Sequence, residues 1–179
     1  MNGAIFFSGK YGSTEQYSKW IAEATGLPVF DINDPRGEPS KYDYLVLGSS
    51  ILYFKLSIRK WVREHFRKLD GRAVVLFSVS GAGPSAKLDR WVANSMPTGL
   101  LSQMKHVGLR GRLDHSKVSW WVRQSLYIAS LFNPNPEASK DERYGFDYMD
   151  KSSIEPIVEI IQRHQVTEAA TDNRIRAVT

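Results

Sequence analysis

The chain has 179 residues, 42% hydrophobic and 24% charged, which suits one globular domain with a sizeable core. It contains no cysteine, so disulfides, thiol nucleophiles, iron–sulfur clusters and cysteine zinc sites are excluded, and redox chemistry would need a bound group. The net charge of +5 favours anionic partners or a simply solvated basic surface.

Apolar runs alternate with helical patterns along the chain, the order expected of a doubly wound α/β domain with a parallel sheet. Ala4 to Phe7 reads as the first strand. A helix follows, with Tyr17, Trp20, Ile21 and Ala24 on its apolar face, a capping-box spacing at Ser13 and Gln16, and Gly26 as its stop. Leu27 to Ile32 is a short second strand and Tyr44 to Leu47 a third, buried on both faces. Ser57 is placed to cap a helix that turns Ile58, Trp61, Val62, Phe66 and Leu69 inward. Ala73 to Phe77 is the fourth strand. Pro84 or Ser85 opens a helix using Leu88, Trp91 and Val92, and His106 to Leu113 is the last strand.

The pattern changes between Asp114 and Asp150. Val118 to Phe132 reads as a helix with two apolar stripes, one through Val118, Trp121, Val122, Ala129 and Phe132, the other through Trp120, Tyr127 and Leu131. Asn133-Pro134-Asn135-Pro136 breaks it, and a polar loop is expected up to Asp150. A final helix begins near Ser152 or Ser153 and uses Ile154, Ile157, Val158, Ile160 and Ile161. The division expected is a domain over 1–165, an insert over about 114–150, and a polar, poorly ordered tail over 166–179. The start carries no basic n-region or long apolar run, and no stretch of about 18 apolar residues occurs, so a cytoplasmic protein is expected.

Ligands of open α/β sheets bind at the carboxyl ends of the strands, where strand order reverses. Three loops meet that condition. Ser8-Gly9-Lys10-Tyr11-Gly12-Ser13-Thr14 joins two glycines, three hydroxyls and a helix N-terminus, a combination suited to a phosphate. The GxxxxGK[ST] and GxGxxG spacings are both absent, and a plain polar turn is the alternative. Gly48-Ser49-Ser50-Ile51-Leu52-Tyr53-Phe54-Lys55 offers an aromatic cover for a flat heterocycle, or rings that only pack the loop. Ser78-Val79-Ser80-Gly81-Ala82-Gly83-Pro84 lets backbone approach a planar ligand.

These motifs resemble the flavodoxin family, and within it the branch of menaquinone-dependent protoporphyrinogen oxidases. The likeness rests on SGKYGST after the first strand, GSSILYFK after the third, FSVSG after the fourth and GRLD near the end of the fifth, and spans about 2–165. It implies a five-stranded sheet in order 2-1-3-4-5, with a helix and loop inserted after the fifth strand, and non-covalent FMN. Ser8, Lys10, Gly12, Ser13 and Thr14 would hold its phosphate, with Gly9 and Tyr11 in the same loop. Ser49, Ser50, Ile51, Leu52 and Tyr53, with Ser80, Gly81, Ala82 and Gly83, would flank its ring. The activity implied is passage of electrons from a porphyrinogen-like substrate through FMN to a quinone, as in heme biosynthesis. A flavodoxin-type electron carrier is the alternative, and a domain that has lost FMN a third.

Two features depart from carrier flavodoxins: the basic charge, and a third loop that lacks the aromatic residue often found there to stack on the flavin. The insert helix over 118–132 is expected to meet the inner face of a membrane, a quinone or a porphyrin-like substrate, or else to pack on its own domain or form a homodimer contact. Arg59, Lys60, Arg63, Arg67 and Lys68, with Lys55, form a basic face that would attract anionic lipid or carboxylates, or be merely solvated. No nucleic-acid motif accompanies them. His65, His106, His115 and His164 stand apart, without metal-ligand spacing, and His65 is expected to be structural.

Overall fold

The computed structural model describes residues 2–176, and for Ala129 and 167–176 the backbone alone. In chain order the elements are β1 (Gly3–Ser8), α1 (Ser13–Thr25), β2 (Val29–Asp31), β3 (Tyr44–Leu52), β4 (Lys55–Leu56), α2 (Arg59–Glu64), α3 (Phe66–Leu69) and β5 (Ala73–Ser80). There follow α4 (Ala86–Ser95), α5 (Thr98–Leu101), β6 (Met104–Arg110), β7 (Arg112–Leu113), α6 (Trp120–Phe132), α7 (Pro136–Tyr144), β8 (Phe146–Asp147) and α8 (Glu155–Arg176).

Five parallel strands run in the order β2-β1-β3-β5-β6, with the short β4 turned back antiparallel on the end of β3. This is the doubly wound 2-1-3-4-5 arrangement of a flavodoxin-like fold, counting the long strands alone. Alternation along each strand divides the core in two. Ala4, Phe6, Leu45, Leu47, Val74 and Leu76 face α2 to α5 and pack with Ile58, Trp61, Val62, Leu88 and Val92. Ile5, Tyr44, Val46, Val75, Phe77 and Val79 face the other side, with Tyr17 and Ile21 of α1 and Ile157 and Ile161 of α8. Continuous apolar runs in the sequence arise because both faces are covered.

Several local expectations are corrected. Ser13 does not cap α1: the cap is Gly12, at φ 87°, and the Ser13 hydroxyl accepts the Arg112 N–H instead. Ala24 is exposed, whereas Gly26 does end the helix in the left-handed conformation. Ser57 caps no helix, because its hydroxyl is drawn to the Ser8 carbonyl. The helix expected from Ile58 to Leu69 is interrupted at His65, whose ring Nδ1 and backbone N–H both contact the Trp61 carbonyl. The last strand splits at Gly111 into β6 and β7. The expected polar loop before Asp150 contains α7, started by Asn135, which accepts from the N–H groups of Glu137 and Ala138. The expected tail continues α8 to Arg176, and 177–179 lie outside the described residues.

In α6 the covered side carries buried Ser130 and half-buried Val122 and Leu126, and the Ser130 carbonyl accepts from Ser139 of α7. The first expected stripe divides, with Val118 buried and Val122 half-buried but Trp121 76% and Phe132 81% exposed, and the second is open at Trp120, Tyr127 and Leu131. Among the described residues no helix is long and apolar enough to cross a membrane.

Candidate functional site

The first loop bends because Gly12 adopts a left-handed conformation that other residues rarely adopt. Thr14 folds back over Gly9, where an ideal Cβ would lie 2.8 Å from the Thr14 Cβ and 2.9 Å from its Oγ1. Gln16 makes the first bond inside α1, to the Gly12 carbonyl at 3.0 Å. The N–H groups of Ser13, Thr14 and Glu15 therefore form the open N-terminal turn, with the positive end of the helix dipole behind them. Thr14 and Ser13 are buried, whereas Lys10 is exposed, its ammonium 5.6 Å from the Tyr11 ring centre.

Ser57 ties this loop to the second. Its hydroxyl donates to the Ser8 carbonyl at 2.8 Å and accepts from Ser50 Oγ at 3.1 Å. Ser49 Oγ lies 3.2 Å from the same oxygen and accepts the Ile58 N–H at 3.3 Å. Parallel pairing sets Ser8 beside Ser49 and Ser49 beside Ser78, so the three strand ends are level. Beyond Leu52 the chain reverses through Tyr53 and Phe54, both at positive φ. Tyr53 is 78% exposed, and Phe54 packs with Trp91 at 5.2 Å between ring centres. Ile51 and Leu52 belong to the β3–β4 ladder.

The third loop joins the first through Gly111. Its N–H donates to the Ser80 carbonyl at 2.9 Å, and an ideal Cβ on it would lie 3.6 Å from Ser13 Oγ and 2.9 Å from Val79 Cγ1. Ser80 Oγ, at the end of β5, is shielded from solvent and has no hydrogen-bond partner among the described residues. Behind it, Ser78 Oγ lies 2.8 Å from His106 Nε2, and burial holds the His106 pKa below its ordinary value although Asp89 opposes this.

An aromatic residue of the insert packs against the third loop. Phe146, on β8, presses on Gly81, and its ring stacks with Tyr148 at 5.1 Å. The Arg110 guanidinium lies 3.5 Å from the Tyr148 ring centre and points two N–H groups at the Gly81 carbonyl, each at 3.4 Å. The Tyr148 hydroxyl donates to Asp141, which holds its pKa above the ordinary value. Tyr17, fully buried, closes the arrangement: its hydroxyl donates to the Arg110 carbonyl at 2.8 Å and accepts the Asp150 N–H at 3.1 Å.

The structure thus brings together Ser8, Gly9, Gly12, Ser13, Thr14, Ser49, Ser50, Ser80 and Gly81 at one sheet edge, and leaves Lys10 and Tyr53 facing solvent. Sequence reasoning missed Ser57, Gly111, Arg110, Phe146 and Tyr148. The GRLD segment marked the neighbourhood of Gly111, but nothing local marked Phe146.

A family model described as a flavodoxin domain matches residues 4–129. Solved structures of similar backbone include two-electron reduced Megasphaera elsdenii flavodoxin, 19% identical, with a TM-score of 0.47 over 59% of this chain and 82% of that one. Others are the Trp repressor binding protein of Bacillus subtilis, 11% identical, TM-score 0.48, over 83% and 99%, and an FMN-dependent NADH-azoreductase of Bacillus anthracis str. Ames Ancestor in complex with FMN, 10% identical, TM-score 0.45, over 91% and 99%. No curated protein matches the chain.

Proposed function

The chain belongs to the flavodoxin domain family, and on that premise we propose that it is an FMN-dependent oxidoreductase that passes electrons from a porphyrinogen-like substrate to a quinone. The observation that carries the cofactor is the joining of three loops around the open N-terminal turn of α1, through Ser57 to Ser8 and through Gly111 to the Ser80 carbonyl. A phosphate would take the N–H groups of Ser13, Thr14 and Glu15 and the hydroxyl of Thr14. Ser13 Oγ already accepts from Arg112, which leaves its proton for the same anion. The strand ends from Ser49 to Leu52 and from Ser80 to Gly83 would flank the ring. When bound, FMN supplies the two-electron chemistry, and the chain's contribution is to orient it, exclude water and tune its surroundings.

The visible spectrum of the purified protein tests the cofactor. Oxidised-flavin bands and FMN released on denaturation are expected, and a colourless protein that takes up no added FMN overturns the reading. Turnover of protoporphyrinogen with menaquinone tests the reaction. A protein that holds FMN without turnover is the electron carrier instead.

The same reading puts α6 against a membrane surface, where a quinone would be met. It is supported by the exposed Trp120, Trp121, Ile128, Leu131 and Phe132 and by the chain's positive charge. Sedimentation with vesicles of anionic lipid tests it. The wild type should sediment and the W121S/F132S variant should not, whereas equal sedimentation of the two overturns the contact.

A further inference from the structure

Two guanidinium groups in the insert, those of Arg123 and Arg143, face an open cleft. Arg123 and Gln124 of α6, Tyr127 one turn on, Arg143 and Tyr144 from the end of α7, and His115 line an open space of ≈ 650 Å³. That is ample for a ring compound. The hairpin of α6 and α7 is held shut at its far end, where Ser139 Oγ donates to the Ser130 carbonyl at 2.7 Å and Asn133 donates to Glu142 at 3.0 Å.

The charge in the cleft is one-sided. No carboxylate lines it, and among the described residues neither Arg123 nor Arg143 has an ion-pair partner. Of the carboxylates near Arg143 on α7, Asp141 accepts from Tyr148, and Glu142 accepts from Asn133 through Oε1 while its Oε2 is shielded and has no hydrogen-bond partner among the described residues. His115 Nε2 is shielded and has no hydrogen-bond partner among the described residues. The walls are aromatic: Arg143 stands 5.4 Å from the Tyr127 ring centre, and Tyr144 projects beside it. Guanidinium groups without carboxylates match an oxyanion in a forked geometry, and tyrosine rings match a flat apolar body.

The geometry points to a second ligand site, for a planar ring compound that carries a carboxylate. The carboxylate is held by Arg123 and Arg143, and the ring lies against Tyr127 and Tyr144. The cleft adjoins the cofactor loops along the chain, since His115 packs near Gly145 and the next residue, Phe146, rests on Gly81. The site requires no FMN, so it stands or falls apart from the cofactor reading.

Fluorescence anisotropy of 1-pyrenebutyrate with the purified full-length protein tests it, beside the uncharged 1-pyrenebutanol. Saturable binding of the carboxylate is expected, with loss of about tenfold in affinity for each of R123Q and R143Q. R123K/R143K keeps the charge and should still bind more weakly than wild type, because it lacks the fork. W121S/F132S should bind as wild type. Helical circular dichroism checks that each variant is folded. Equal affinity of folded R123Q, R143Q and wild type overturns the site, and so does pyrenebutanol binding as tightly as the acid, which would assign the probe to the apolar face of α6. Displacement of the probe by anionic vesicles but not by excess benzoate also overturns it, in favour of a lipid headgroup.

Discussion

The Phe146 ring occupies the space that a side chain on Gly81 would need: an ideal Cβ at Gly81 would lie 2.6 Å from Phe146 Cζ. A short strand of the insert therefore fixes which residue the third loop can carry.

Gly81→Ala should destabilise the protein by about 1–3 kcal/mol, because the methyl group must push the half-buried ring and β8 aside. Phe146→Ala in the same chain should relieve most of that loss. A double-mutant cycle in chemical denaturation measures the coupling, expected at about 1 kcal/mol or more. Strictly additive effects would mean that ring and glycine do not meet in solution.

Ser57→Ala removes the hydroxyl that joins the Ser8 carbonyl to Ser50. The stability loss expected is about 0.5–1.5 kcal/mol, since a half-buried carbonyl loses its donor. FMN affinity, read by quenching of flavin fluorescence, should fall with it, because the first two loops are no longer tied. Unchanged stability with unchanged affinity would remove Ser57 from the site.

Tyr17→Phe deletes a buried hydroxyl bonded at once to Arg110 and Asp150. A loss of about 1–3 kcal/mol is expected, as both backbone partners are left without it. Hydrogen exchange should quicken at the Asp150 amide well before the strands of the central sheet open. Exchange there at the wild-type rate would contradict the bond.

Burial holds the His106 pKa below the ordinary 6.5, and His164 is lowered by burial and by Lys105. The unfolded chain therefore takes up these protons first as pH falls. The stability the neutral rings contribute is fully present above about pH 6.5 and is lost as pH drops through that value toward the folded pKa values. Unfolding free energies at pH 7.5 and 5.5 should differ less in a His106→Gln variant than in wild type. An equal difference would clear His106 of the effect.

The strand order and both faces of the core were legible in the sequence, since Ala4 to Phe7, Tyr44 to Leu47 and Ala73 to Phe77 alternate between two covered faces. That the loops Ser8–Thr14 and Ser80–Gly83 would lie side by side at the carboxyl ends of the strands was legible as well, because it follows from the strand order. Partnerships between distant segments were not. Ser57 has the composition of a cap, and only the closeness of β1 and β3 gives its hydroxyl a better acceptor in Ser8. Ser13 has the spacing of a capping box, and only the return of β7 supplies the Arg112 N–H. The periodicity of α6 misled because it grouped covered Val118 and Val122 with exposed Trp121 and Phe132, while the covered row runs through Val122, Leu126 and Ser130 and is the less apolar one.

The insert leaves and rejoins the sheet edge through a narrow neck. β7 and β8 share two residue pairs, Arg112 with Asp147 and Leu113 with Phe146, and the Tyr148 N–H closes on the Gly111 carbonyl at 3.1 Å. Residues 116–144 lie between the two sides of this clasp, with the Tyr148 hydroxyl bond to Asp141 as a further tie, and make a cassette. A graft cut at that clasp can exchange what the molecule meets, at its exposed α6 face and in the arginine cleft, while the strand ends and their serine ties stay as they are.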